Sequence, residues 1–458
     1  MHEFKATIMR LREPEGIFAR ERPVYAARAP GRIDLMGGNA DYTGGLVFQM
    51  TTREATLAAS QLRDDGRVVL LNPGMRSFGW SERASLPAAD LSNPKRVREI
   101  ANASPEMRWT AYVLGPLHFL YQRAGGRLNS GVSLYIESSV PLNKGVSSSA
   151  AVEVAVMKSA AEALGIKLGG VELARACQWA ENVIAEAACG IMDQAAVALG
   201  EEGSCLPLLC QPCIPYSPVR IPEELAIKAI DSGVRHAVTG QEYEAARAAC
   251  FMGYALIAEW ENLPLRLDES DGIARWIDPR WNGYPSDIPP SVFRALYERR
   301  LPETMTGAEF LACGRVLPDP FTKVRPEGIY PVRACMRYAV EENQRIKLFV
   351  ELIRGKPSVQ TRRLLGEQML QSHYSYTECG LGSEATDQIV NLVREDPALY
   401  GAKITGGGSG GTVVILGDAG DDEPFQRVTT RYAEIIGSLP HVFEGSSQGA
   451  DQFGVQTL

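Results

Sequence analysis

Alternation of apolar and polar positions predicts strands over residues 24–34, 46–50, 56–60, 66–71 and 132–138. Between the first two, residues 36–45 are polar and glycine-rich and read as a loop. Apolar residues at helical spacing predict helices over 109–124, 148–164 and 171–187, and another from Asp193 to Leu199 after a turn at Cys189 and Gly190. Residues 206–209 and 225–231 are short apolar strands, and 242–258 is a long helix. Further helical patterns cover 337–353, 361–371, 384–394 and 422–436. Residues 403–416, KITGGGSGGTVVIL, read as a strand, a glycine-serine turn and a strand. Strands crowd the early part and helices the later part, with long-range mixing, which predicts an α+β fold over a regularly alternating α/β sheet.

Residues 263–333 break this rhythm. Prolines at 264, 279, 285, 289, 290, 302, 318, 320, 326 and 331 punctuate aromatic and charged residues. Their tryptophans and leucines need burial, so the stretch reads as a packed, irregular insertion and not a linker. At 458 residues the chain exceeds one ordinary core, and two domains are expected. A hydrophobic content of 45%, a charged content of 22% and a net charge of -8 describe a soluble chain without the basic face that nucleic acid requires. No apolar run is long enough to span a bilayer, and charges run through the first 20 residues where a signal peptide needs an apolar core. The nine cysteines are odd in number, which fits reduced thiols in a cytoplasmic protein. Cys210 and Cys213 form one CxxC, but no second pair follows at zinc spacing, so both read as ordinary thiols.

Candidate chemistry begins at residues 141–154, PLNKGVSSSAAVEV. A short loop with one glycine enters three serines and then a small-residue helix. Unpaired N–H groups and the positive end of the helix dipole suit a polyanion such as the phosphate tail of ATP. A serine-capped structural helix fits the same residues. There is no GxxxxGK[ST] loop and no HRD with a following DFG. Gly406, Gly408 and Gly411 satisfy GxGxxG, but TVVIL follows as a strand where the dinucleotide fingerprint requires a helix. The acid candidates are Asp41, Glu181 and Asp193, the last also readable as a helix N-cap. Arg32 stands alone in a Pro-Gly turn.

Three separated segments resemble, in order, the motifs of the GHMP kinase superfamily: 29–50 (APGRIDLMGGNADYTGGLVFQM), 141–153 and 403–412. CGIMDQ, residues 189–194, is similar to the galactokinase branch. The resemblance implies an N-terminal domain (1–215) like the second domain of ribosomal protein S5 and a ferredoxin-like C-terminal domain (216–458) carrying the insertion at about 263–333. The active site would lie in the cleft between them. It implies that ATP is held by Asn143, Lys144, Gly145, Val146, Ser147, Ser148 and Ser149 with Gly407 and Gly408, and Mg²⁺ by Ser149 and Glu181. One hydroxyl and one carboxylate are reasonable for an ion that keeps phosphate and water ligands. Asp193 falls at the catalytic aspartate and Arg32 at its partner. Gly38, Asn39, Asp41, Asp193 and Tyr243 fall at sugar-contacting positions. Asn143 and Lys144 depart from the usual Gly-Ser or Gly-Ala, and Lys144 reads either as a phosphate contact or as facing water.

The sugar loop departs too. Galactokinases usually read GEHTDY where this chain reads GGNADY, residues 37–42. By family analogy the missing glutamate accepts a hydrogen bond from the C6 hydroxyl of galactose. L-arabinose has the ring stereochemistry of galactose without C6, so Gly38 fits a pentose. Compensation by a nearby side chain, or room for a larger sugar, fits the same change. Residues 231–247, 372–383 (SHYSYTECGLGS) and 403–412 resemble plant-type L-arabinokinases more than ordinary galactokinases, and LPETM (301–305) has a counterpart there. The implied activity is an ATP- and Mg²⁺-dependent sugar 1-kinase acting on a small-molecule sugar, L-arabinose. The alternatives are a kinase of galactose or a galactose-like sugar, and a non-catalytic sensor of ATP and sugar.

Overall fold

Strand Tyr25–Met36 is buried along almost its whole length, because the first sheet is covered on both faces. The structure is a computed structural model that describes residues 2–12, 16–234, 241–264, 267–268, 275–276, 278–315, 317, 319 and 321–458. Pro318, Pro320 and residues 235–240 of the arabinokinase-like segment lie outside them. The first sheet runs Val455–Thr457, Tyr25–Met36, Leu46–Leu62, Gly131–Ser138, Arg67–Leu71, Arg83–Pro87, with Ser204–Leu209 also on Leu46–Leu62. Its described pairings are antiparallel except that of Arg67–Leu71 with Gly131–Ser138.

Two expected strands, 46–50 and 56–60, are one strand, Leu46–Leu62. The polar TTRE segment that separates them in sequence is where the strand changes partners. Residues 46–50 pair with Ser204–Leu209, and residues 56–62 pair with Gly131–Ser138. The expected helix over 171–187 also divides. It is α-helical over Gly170–Ala180 and widens to a π-helical turn over Glu181–Ala185. Such turns favour functional positions.

The second sheet, in the order Leu399–Ile404, Thr412–Asp418, Leu225–Asp231, Val442–Glu444, is antiparallel throughout. Successive strand residues point to opposite faces, and the two faces serve different ends. Ile230, Val413 and Ile415 pack with helices Glu384–Glu395 and Glu423–Ile436. Ile227, Ala229, Val414 and Leu416 join a core with Ile33, Phe48 and Met50 of the first sheet and Phe349 and Leu365 of helices Val332–Arg354 and Val359–Glu378. Each of these side chains larger than alanine contributes about 1.5–3 kcal/mol. The two sheets therefore share one hydrophobic core.

The described part of the proline-rich insertion is packed. Trp281, Phe293, Tyr297, Leu301 and Phe310 are buried against helices Gln241–Trp260 and Val332–Arg354. It also braces the loop after strand Tyr25–Met36, where Thr43 Oγ1 and Ser286 Oγ lie 2.7 Å apart. The domain limit expected at 215 does not coincide with a break in the sheet. Val219–Arg220 still pairs with Ser204–Leu209, and the end of the chain returns as Val455–Thr457 beside Tyr25–Ala27. No helix among the described residues is long and apolar enough to cross a membrane.

Candidate active site

Strand Tyr25–Met36 carries Arg32 into the cleft with its side chain 3% exposed. The Arg32 backbone N–H donates to Val146 O at 3.1 Å, and Nη1 donates to Gly145 O at 2.5 Å. Nε and Nη2 reach Asp193 Oδ1 at 2.9 and 2.8 Å. One guanidinium thus joins the APGR segment, the serine loop and CGIMDQ. Asp193 lies in the first turn of helix Met192–Leu199, with its side chain 25% exposed towards solvent. It does not cap that helix. Asp41 does, accepting from Ile191 N at 2.9 Å and Met192 N at 3.2 Å.

The serine loop reaches its helix, Ser148–Ala163, through left-handed residues Asn143, Gly145 and Ser147. For the two non-glycine residues this conformation costs about 1–2 kcal/mol each. Ser147 Oγ is buried without a hydrogen-bond partner among the described residues. A strained loop, an unsatisfied hydroxyl and a helix N-terminus together suit an anion. The glycine turn forms the opposite wall. Gly406 has φ +76, and a Cβ there would lie 2.6 Å from Gly145 O, so only glycine permits this approach. Thr412 Oγ1 donates to Lys144 O at 2.7 Å. The Lys144 side chain does not face water. Its Nζ lies 2.9 Å from Asp231 Oδ2, with the two side chains 13% and 11% exposed, and so ties the loop to the second sheet.

Glu181 sits on the π-helical turn, near Ser149. Gln194 Nε2 donates to Glu181 Oε2 at 2.6 Å and to Glu153 Oε2 at 3.2 Å. Burial, then the charge of Asp193, pushes the Glu181 carboxyl up to about 7. Burial and Glu181 push Glu153 well above the usual range. A cation beside Ser149 and Glu181 would offset this crowding of negative charge. The donor set therefore fits Mg²⁺, which takes few protein oxygens. No group of three or more His, Cys, Asp or Glu among the described residues could hold a metal by itself. Glu153 and Gln194 escaped the sequence reading. The only signal of Glu153 is a lone charge inside the apolar run AAVEVAV.

In the GGNADY loop, Asp41 is buried, and burial followed by the charge of Asp193 raises its carboxyl to about 6. Asn39 Oδ1 accepts from the Tyr376 hydroxyl at 2.9 Å. Tyr243, at the start of helix Gln241–Trp260, stands edge-on to Tyr42 with ring centroids 5.7 Å apart and lies beside Gly407. Asp34 anchors the loop from beneath. It accepts from Gly38 N at 2.8 Å and Gln49 Nε2 at 2.5 Å, and pairs with Lys403 Nζ at 2.8 Å in full burial. The Lys403–Asp34 pair joins the first and third motifs and was not foreseen. Contacts through Arg32, Asp41, Tyr376 and Gly406 thus bring the three motifs and CGIMDQ together. A cavity of about 530 Å³ lies behind Cys189–Ile191, bordered by Trp179, Arg247 and Tyr284, and neither Asp193 nor the serines line it.

Family models match three stretches: the galactokinase galactose-binding signature over residues 15–61, the GHMP kinases N terminal domain over 111–201 and the GHMP kinases C terminal over 348–432. The chain is 36% identical to L-arabinokinase of Arabidopsis thaliana across 98% of its own length, and spans 48% of that relative's length. It is 32% identical to galactokinase of Chloroflexus aggregans, with 87% of this chain and 85% of the relative covered. In fold it is similar to Lactococcus lactis galactokinase complexed with galactose, with a TM-score of 0.75, 21% identity and 100% of both chains covered. The Methanococcus jannaschii mevalonate kinase follows at a TM-score of 0.57, 14% identity and coverage of 92% and 98%. With its three motifs in contact and relatives aligned over most of its length, the chain belongs to the GHMP kinase family, among the sugar kinases of the galactokinase and L-arabinokinase type.

Proposed function

We propose that this chain transfers the γ-phosphoryl group of ATP to the anomeric hydroxyl of L-arabinose. The observation that carries the kinase reading is the double grip of Arg32 on Asp193 and on Gly145 O, which puts an acid at the edge of a phosphate-type loop. A sugar hydroxyl is a poor nucleophile, and Asp193 orients it and accepts its proton. Phosphoryl transfer has a loose transition state, so rate comes from positioning and charge compensation more than from a strong base. Arg32 holds the Asp193 carboxylate in place and adds positive charge beside the transferring group. The backbone of Gly145–Ser149 faces the β- and γ-phosphates, and Gly407 and Gly408 close over them. Mg²⁺, held by Ser149 and Glu181, would neutralise charge between the phosphates. Asn39, Asp41 and Tyr243 surround the sugar.

The pentose is supported by Gly38, which offers no carboxylate to a C6 hydroxyl, and by the likeness to L-arabinokinase along nearly the whole chain. The match to the galactose-binding signature favours galactose as the second reading. A coupled ADP-release assay across L-arabinose, D-galactose, D-fucose and D-glucuronate separates them. We expect the highest kcat/KM with L-arabinose. Higher turnover of galactose returns the second reading, and no ADP release with any sugar removes the kinase reading in favour of a sensor.

A further inference from the structure

The volume beside Gly38 is already filled. Gly38 has φ +47, and a Cβ there would lie 2.9 Å from Tyr338 Oη and 3.0 Å from Tyr376 Cε2. The two rings are buried and pack with centroids 5.3 Å apart. Tyr338 donates to Gly37 O at 2.9 Å. Tyr376 comes from helix Val359–Glu378 and reaches between the sugar loop and the glycine turn. Its single hydroxyl proton is shared between Asn39 Oδ1 at 2.9 Å and Gly406 O at 2.7 Å. On the other side of the ring, a Cβ at Gly408 would lie 2.9 Å from Tyr376 Cε1. The ring is therefore fixed on both faces of the cleft and cannot yield to a substituent. Losing a glutamate at position 38 leaves no room for a larger sugar, because aromatic carbon occupies that room.

We propose that Tyr376, backed by Tyr338, is a specificity-determining residue that excludes sugars bearing a substituent on C5. This rests on the reading that the sugar lies on residues 37–42. Interiors packed to crystal density leave no slack for an added group. A hydroxymethyl pressed against the ring loses its water and finds no carboxylate in exchange. One methylene in a shaped pocket discriminates by about 10–200-fold, so rejection of this order is expected from the ring alone. The hydroxyl of Tyr376 acts separately from the ring, by fixing the orientation of Asn39 towards the sugar.

The test uses the wild-type chain first. D-fucose carries a C5 methyl without the hydroxyl. A steric ring rejects D-fucose as it rejects D-galactose, both at least about tenfold below L-arabinose in kcat/KM. D-fucose turned over as well as L-arabinose, with galactose poor, overturns the ring filter and leaves the pentose reading intact. Galactose preferred over arabinose overturns the pentose reading itself. Tyr376→Leu, with folding checked by its thermal melt, is expected to raise the galactose-to-arabinose ratio about tenfold or more. Tyr376→Phe keeps the ring, and is expected to hold that ratio within about threefold while raising KM for L-arabinose. A Tyr376→Leu ratio equal to wild type contradicts the proposal.

Discussion

The two sides of the proposed site, one for phosphate and one for sugar, are built in different ways. On the side we propose for the phosphates, the wall is backbone: the left-handed steps at Asn143, Gly145 and Ser147, a helix start, and a glycine turn in contact with Gly145. Ion pairs hold this backbone in place, Arg32 with Asp193 and Lys144 with Asp231. On the sugar side, side chains from distant parts of the chain converge: Asn39, Tyr243, Tyr338 and Tyr376, with the insertion behind them through Ser286.

This contrast orders the expected effects. Asp193→Asn is expected to lower turnover by about 10²–10⁴-fold, with ATP binding by calorimetry retained. Arg32→Ala is expected to do likewise, since the acid then loses its link to the loop. Near-normal turnover in either purified variant removes both from the machinery. Lys403→Met strikes both sides, because it leaves the buried Asp34 carboxylate unpaired beneath the sugar loop. Breaking such a pair costs about 3–5 kcal/mol, readable as a lower urea midpoint, and adding Asp34→Asn is expected to recover part of it.

A pH effect follows from Asp41, whose carboxyl is raised from 3.8 to about 6 by burial and by Asp193. The folded state then binds a proton that the unfolded state has released. Its contribution to stability is therefore lost as pH rises between about 4 and 6, the reverse of a salt-bridged carboxylate. Asp41→Asn is expected to flatten that part of a melting-temperature profile, and an unchanged slope assigns the dependence elsewhere. The smallest effect belongs to Lys144→Met. Losing a mostly buried pair with Asp231 is expected to lower stability by about 1–2 kcal/mol in urea and to change the KM for ATP by less than about tenfold. A larger rise in KM would make Lys144 a phosphate contact.

How much was legible in the sequence follows the same divide. The serine loop, the glycine turn and Asp193 were legible because each is a short contiguous pattern whose chemistry depends on backbone or on local spacing. Their meeting was implied only by the family likeness. Tyr338 and Tyr376 were not legible, since both lie within amphipathic helices where a tyrosine reads as ordinary core. Lys403–Asp34 and Glu153–Gln194–Glu181 were hidden for a related reason: each joins residues far apart in the chain, and nothing local marks the partner. In the fold, the join at TTRE was missed because a change of strand partner leaves the same polar interruption as a turn. Helix Pro94–Ala101 was also missed, although Asn93, which accepts from Lys95 N and Arg96 N, followed by proline, is a start signal in sequence.

The most direct test is a competition in one tube, with equal L-arabinose and D-galactose, limiting ATP and Mg²⁺, and the products identified by phosphorus NMR. L-arabinose 1-phosphate is expected to dominate, with its phosphorus coupled to the anomeric proton. Galactose 1-phosphate as the main product, or ATP left intact, would contradict the account.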